Sequence, residues 1–271
     1  EYCKSQEYQV HYFLDSRLEL DNLGQPIVVK NSKKLFDINL LKTFDLILPI
    51  LPEQDMKLHS YCKFLVEQNI KTLISSPDTI KLLSDKYEFS SFCLEHNIPC
   101  IPSYHSDQIN AIKNNTIIEK DRYGVGCSHV KKILKKDVIK RKKIIYQPYI
   151  KGDHYSLCVY FENGSFKLLT LNEQDIMFDN NRVKLRSLKV NIKNNHFLEL
   201  YSIIQNIYKS LPGLYAYVGI DIIITGNQIL VVEINPRLTT SFVGIKDTLG
   251  INMSQPNKFM KLSNINPRSQ R

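Results

Sequence analysis

The sequence predicts a mixed α/β and α+β fold, and three observations predict it. Short apolar runs alternate with helix-spaced stretches through the first third of the chain, the pattern of strands joined by helices in a parallel sheet. From Thr116 onward strand-like segments follow one another closely, two of them meeting at Asn163-Gly164, a strong hairpin turn. One long amphipathic helix and two apolar strands then close the pattern.

The elements follow in order. Gln9–Leu14 reads as a strand ending at Asp15-Ser16-Arg17, and Phe44–Leu51 as a short buried strand that leads into a loop at Pro49 and Pro52. Leu58, Cys62, Leu65 and Val66 recur at helical spacing up to Asn69, and Lys71–Ser75 is the next strand. Ser76-Pro77-Asp78 starts a helix, with serine as cap and proline at the first position. Ser84-Asp85-Lys86 starts a second, whose face is marked by Phe89, Phe92 and Cys93 and which stops at Asn97 and Pro99. Strands are expected at Ile98–Tyr104, Thr116–Lys120, Lys143–Tyr149, Tyr155–Phe161 and Ser165–Leu171. Residues 172–195 are polar and weakly patterned, a loop with a strand near Val183–Val190. Phe197, Leu200, Ile203, Ile204, Ile207 and Leu211 mark a helix that ends at Pro212-Gly213. Tyr217–Thr225 and Ile229–Asn235 are the closing strands, and the tail after Ile251 has no period, so it should be loose or docked.

Composition narrows the class. At 271 residues and 43% apolar, the chain can bury a sizeable core. No apolar run reaches the roughly 18 residues of a membrane helix. The first residues are polar, not a signal peptide, and the chain begins at Glu1, so an N-terminal piece is expected to be missing. Six scattered cysteines without a CxxC pair read as reduced cytoplasmic thiols. Of the net charge of +9, much sits in Lys131–Lys143, eight basic residues in thirteen. A nucleic-acid grip would want interleaved aromatics or a known module, and neither is present, so a solvated surface is the better reading. A positive field also suits anionic substrates.

The chemistry gathers near the C-terminal strands. In Val232-Glu233-Ile234-Asn235-Pro236-Arg237, Glu233 and Asn235 share a strand face and offer oxygen to a hard cation such as Mg2+, with Mn2+ as an alternative. Arg237 can hold a phosphate with its planar fork. The plain structural alternative is a buried strand end with Arg237 paired to Glu233. If Gly226-Asn227-Gln228 forms a three-residue loop, Asp221 lies opposite Glu233 and becomes a third ligand; a two-residue loop would turn it to the other face. Lys120 ends a strand before a loop with Gly124 and Gly126, whose backbone could approach an anion. This is neither a Walker A loop nor a dinucleotide fingerprint, and a plain turn stays open. Gln147-Pro148-Tyr149-Ile150 could pair with a purine edge, with Asp153 toward a ribose, although an inter-strand turn explains it as well.

Taken in order, Ser84-Asp85-Lys86, the strand-Lys120-glycine loop, Gln147–Gly152, Asp221 and Val232–Ile245 resemble the ATP-grasp superfamily of carboxylate–amine ligases, over about residues 45–250. Within it the chain is most similar to the ligases of methanofuran synthesis that join tyramine to glutamate. Asp15-Ser16-Arg17 and Leu48–Glu53 share that likeness, and the stretch around Thr239-Thr240-Ser241 carries it for the substrate. The resemblance implies an α/β N-terminal lobe over 1–77, connecting helices and a strand over 78–107, a lid over 108–150 and an antiparallel C-terminal lobe over 151–271, with ATP between the last two. It implies that Lys86 and Lys120 contact ATP, that Gly124 and Gly126 close over the phosphates, and that Gln147, Pro148 and Ile150 form the adenine hinge. Asp153 or His154 would meet the ribose. Asp221, Glu233 and Asn235 would hold magnesium, while Arg237, with Lys120, would serve catalysis. Two positions depart from the family pattern: Pro148 stands where a glutamate is frequent, and Asp121 where a proline is. Another acid–amine pair, or a protein that binds nucleotide or nucleic acid without catalysis, are the alternative readings.

Overall fold

The computed structural model describes residues 9–15, 25–29, 32–127, 129–162, 164–193, 195–226 and 228–250. Ser16-Arg17, Asn163 and the tail after Gly250 lie outside them. At the N-terminal end, β1 (His11–Asp15) and β2 (Gln25–Val29) form a parallel pair. They are followed by the single turn α1 (Ile38–Leu41) and by α2 (Lys57–Glu67), α3 (Pro77–Ser84) and α4 (Lys86–Glu95). The expected helix starts are present: Ser76 Oγ accepts from Thr79 N, and Asp85 Oδ1 accepts from the amides of Tyr87 and Glu88.

The expected strand at Phe44–Leu51 is absent. Only Ile47 bridges Thr72, which is also all that remains of the expected strand at Lys71–Ser75. Pro49 and Pro52 cannot donate to a ladder. The segment is nonetheless extended and alternates. Pro49 and Glu53 are buried and Ile47 and Leu51 half-buried, while Leu46, Leu48 and Ile50 are exposed.

Eight strands make one antiparallel sheet. They are β3 (Thr116–Asp121), β4 (Lys131–Leu134), β5 (Ile144–Pro148), β6 (Asp153–Glu162), β7 (Ser165–Asp179), β8 (Arg182–Lys189), β9 (Ala216–Thr225) and β10 (Gln228–Asn235), ordered β10-β9-β6-β7-β8-β4-β3-β5. The strand expected near Val183–Val190 is present as β8, but residues 172–179, expected as loop, are strand as well. β7 runs on to Asp179 and turns back through Asn180 and Asn181, both with positive φ, into β8. Ile98–Tyr104, expected as a strand, is a strap with two anchors. Cys100 bridges Val231 in β10, at one edge of the sheet, and Tyr104 bridges Tyr146 in β5, at the other. Backbone hydrogen bonds of 2.8–3.1 Å fix both anchors. The sheet thus curls, with its two edges held by one segment.

The main core lies on one face of this sheet. Phe89 and Cys93 of α4, and Leu200, Ile204 and Ile207 of α5 (Phe197–Ser210), pack against Leu157, Val159, Val218, Ile220, Ile222, Val231 and Ile234. Strand alternation sends Ser156 of β6, Asp221 of β9 and Glu233 and Asn235 of β10 toward the opposite, concave face. The short helix α6 (Ile245–Leu249) follows β10. Among the described residues no helix is long and apolar enough to cross a membrane.

Candidate functional site

The concave face encloses a cavity of about 270 Å³ between β3–β5 and β6–β10. Its polar end is set by the β9–β10 hairpin. The loop between these strands has two residues, with Gln228 opposite Thr225, and not the three that an Asp221–Glu233 pairing was expected to need. The face is corrected further along. A β-bulge at Val232 shifts the register, so that Glu233 pairs with Asp221 after all and Asn235 with Gly219. One extra residue in a strand has the same effect on facing as one extra residue in the turn. The expected juxtaposition stands, by a different cause.

The three oxygen-bearing side chains meet there. Asn235 Nδ2 donates to Asp221 Oδ2 at 3.0 Å, and Gln174 Nε2 from β7 donates to Asp221 Oδ1 at 2.9 Å. Burial, and then the Glu233 carboxylate, push Asp221 up to about 7. Burial also works against the charge on Glu233, but Lys86 and Lys120 outweigh it and hold that carboxyl below its usual range. Two half-buried carboxylates paired across the hairpin, with an amide beside them, are a hard-oxygen donor set suited to a divalent cation.

Cations stand on the facing wall. Lys86 Nζ is 3.5 Å from Glu233 Oε2 and donates to Gly124 O at 2.5 Å. Lys120 is almost wholly buried; burial pushes its ammonium down to about 8, against the pull of Glu233. The glycine loop is tethered to the start of α4. Arg122 forks onto Asp85 (Nε–Oδ1 2.7 Å, Nη2–Oδ2 2.6 Å), Tyr123 Oη donates to Asp85 Oδ2 at 3.0 Å, and Lys86 N donates to Arg122 O at 3.1 Å. Within that loop Gly126 takes φ +60°, which favours glycine, and lines the cavity, while Gly124 contributes its carbonyl to Lys86.

At the apolar end, Gln147, Pro148 and Ile150 line the cavity together with Tyr149, Ile101 and Phe178. Gln147 Nε2 donates to Ser103 Oγ at 2.9 Å and Ile101 O at 3.3 Å, so the strap fixes it. Pro148 sits on the edge strand β5, where a missing N–H is tolerated. Asp153 is exposed and is not part of the lining; its neighbour His154 is, because successive residues of β6 point to opposite faces.

Arg237 does not pair with Glu233. Its Nε donates to Glu53 Oε2 at 2.9 Å and lies 2.8 Å from Oε1, and its Nη1 donates to Leu238 O at 3.1 Å. Glu53 and Gln174 are the site residues that sequence reasoning missed. Leu48–Glu53 had been singled out only as a likeness, and nothing in Gln174 distinguishes it from a surface amide. Four side chains of the basic run are engaged within the chain. Lys132 Nζ sits 3.9 Å over the Tyr149 ring, Lys135 donates to Ile112 O, Arg141 pairs with Glu119 and Lys143 with Asp55.

Comparison with known proteins gives the family and the fold. A family model described as an ATP-grasp domain matches residues 83–241. The tyramine–L-glutamate ligase of Methanocaldococcus fervens is 26% identical over 242 residues, covering 86% of this chain and 74% of that protein. That of Methanocaldococcus jannaschii is 23% identical over 237 residues, covering 86% and 70%. Among solved structures, the biotin carboxylase domain of a Hydrogenobacter thermophilus 2-oxoglutarate carboxylase, in complex with MgADP, superposes with a TM-score of 0.74 at 14% identity, covering 94% of this chain and 65% of that one.

Proposed function

Because this chain belongs to the ATP-grasp family and is an ATP-dependent carboxylate–amine ligase, we propose that it joins the γ-carboxylate of glutamate to tyramine, a step of methanofuran biosynthesis. The observation that carries the reaction type is the meeting of Asp221, Glu233 and Asn235 with Lys86, Lys120 and Arg237 at one end of a cavity whose other end is apolar. The choice of acid and amine is supported by the two ligase relatives.

The chain uses ATP with a divalent cation. We take the ion to be magnesium, with manganese as an alternative, held by Asp221, Glu233 and Asn235. Bound there, the ion would neutralise charge on the β- and γ-phosphates. The adenine would lie against Gln147, Pro148 and Ile150, with His154, not Asp153, at the ribose. Lys86 and Lys120 would hold phosphate oxygens, and the loop of Gly124 and Gly126 would cover them.

The terminal phosphoryl group of ATP passes to a carboxylate oxygen, giving an acyl phosphate and ADP. The amine nitrogen then attacks the acyl carbon, phosphate leaves, and the nitrogen loses a proton, leaving an amide. Arg237 would steady the transferred phosphoryl group and the acyl phosphate. The protein contributes positioning and fixed charge; no side-chain nucleophile is required. Residues 108–150, which hold β3–β5, would act as the lid, 151–271 as the C-terminal lobe, 1–77 as the N-terminal lobe and 78–107 as their connection.

The test is ADP release with ATP, Mg2+ and a panel of acids and amines that includes glutamate and tyramine. Turnover with that pair above all others is expected. Turnover only with another amino acid or peptide pair would overturn the substrate assignment, and tight RNA binding with no ATP turnover would overturn the use of the site. The Glu233→Gln variant should keep its fold by circular dichroism and lose Mg2+-dependent ADP formation.

A further inference from the structure

We infer that Glu53 is a positioning residue of the ligase reaction: it grips the back edge of the Arg237 guanidinium and thereby fixes the end that faces the cavity. The inference rests on the reading of Arg237 given above. Glu53 is 5% exposed and is not part of the cavity lining, whereas Arg237 is. The contact uses Nε, at 2.9 and 2.8 Å from the two carboxylate oxygens, and Nη1 is held by Leu238 O. Two of the arginine's three nitrogens are thus pinned from the protein side, and no partner is described for Nη2.

Two further features mark this carboxylate as placed with effort. Glu53 Oε1 is buried, and its 2.8 Å contact with Arg237 Nε is an ion pair outside good hydrogen-bond geometry, a costly place for a carboxylate. Two residues further on, Asp55 and Met56 both adopt left-handed backbone conformations (φ 51° and 61°), which cost non-glycine residues energy and cluster at functional sites. The alternating burial of 47–53 is what turns Glu53 inward. A contact that served stability alone would be better met by an apolar side chain, since a buried ion pair repays its desolvation poorly. An arginine with five donors needs one edge occupied if the other is to keep a fixed direction.

The experiment measures ADP release by the full chain carrying Glu53→Gln, Glu53→Asp or Arg237→Lys, and by the Glu53→Gln/Arg237→Lys double variant. It uses the best acid–amine pair of the panel, or uncoupled ATP hydrolysis if none turns over. Glu53→Gln should lower kcat about 10- to 100-fold, the scale of a hydrogen bond to a charged group, with KM for ATP within about 3-fold of the wild type. Glu53→Asp should recover part of the loss. In the Arg237→Lys background Glu53→Gln should have little further effect, because Glu53 acts through the arginine. Wild-type kcat per folded Glu53→Gln molecule, or a full additional loss in the double variant, would overturn the proposal. If Glu53→Gln does not fold, Glu53→Asp decides alone, and unchanged kcat there would overturn it. Full activity of Arg237→Lys would instead overturn the reading of Arg237, a distinguishable failure.

Discussion

Asp85 has two tasks at once: it caps α4 through Tyr87 N and Glu88 N, and it holds the glycine loop through Arg122 and Tyr123. Burial raises its carboxyl pKa, but the Arg122 hydrogen bonds, Glu88 N and Tyr123 outweigh this and hold it below the usual range. Because the folded protein binds this proton less readily than the unfolded chain, the stabilisation is present above an unfolded pKa near ~4 and is lost as pH falls through the lower folded value. Asp85→Asn keeps a capping side chain but leaves Arg122 without its fork. It should cost ~1–3 kcal/mol in urea unfolding at pH 7, and the difference from wild type should shrink steadily below about pH 4. A gap that stayed constant with pH would mean that the charge is not what matters. Residues of this kind were legible in the sequence because their signals are local: a cap beside a helix, a lysine at a strand end, an acid and an amide two apart. Glu53 was not, because its partner lies 184 residues away and no periodicity links the two.

The β7–β8 hairpin shows what local pattern hides at the scale of an element. β7 continues past Leu171 through Asn172, Glu173, Gln174 and Asp175, polar residues that read as loop. They are strand residues because one of their faces lines the site, where Gln174 supports Asp221, and the other carries ion pairs such as Glu173 with Lys189 and Asp175 with Arg186. The turn signal was present in Asn180-Asn181, whose φ values of 48° and 63° fit a two-residue hairpin loop. Replacing both asparagines by alanine should cost ~1–3 kcal/mol, because alanine resists left-handed backbone, whereas glycine at both should cost little or stabilise. Guanidinium unfolding curves of the two double variants would separate them, and equal midpoints would refute the turn assignment. Since Phe178, Val183 and Leu185 line the cavity from this hairpin, the alanine variant should also raise KM for ATP. The β9–β10 hairpin gives the complementary lesson. The pairing of Asp221 with Glu233 could be anticipated from facing alone, but the bulge at Val232 that produces it leaves no mark in composition.

Across the whole molecule, the eight-stranded sheet is continuous but unevenly joined. β6 pairs with both β7 and β9 along almost its full length, whereas β4 meets β8 at the single pair Lys131↔Arg182. Two backbone hydrogen bonds flank that pair, Lys132 N to Asn181 O at 2.8 Å and Val183 N to Val130 O at 3.0 Å. The β3–β5 part is otherwise held by the 98–104 strap and, through the loop after β3, by the start of α4, and the cavity lies between the two parts. A nucleotide seated there touches both, so it should add stability by mass action and do so unevenly. At a hundred times its Kd, ATP with Mg2+ should stabilise the fold by about 2.7 kcal/mol, on the order of 5–10 °C in Tm for a chain of this size. Hydrogen exchange should locate the gain. The amides of β3, β4 and β8, which flank the single-pair β4–β8 junction, should gain the most protection, while those of α5 and the centre of β6, already in the main core, should change least. Equal protection of α2 and of the β4–β8 junction would argue that the nucleotide binds elsewhere, and loss of the effect in Glu233→Gln but not in Lys140→Ala would tie it to the carboxylate end of the cavity.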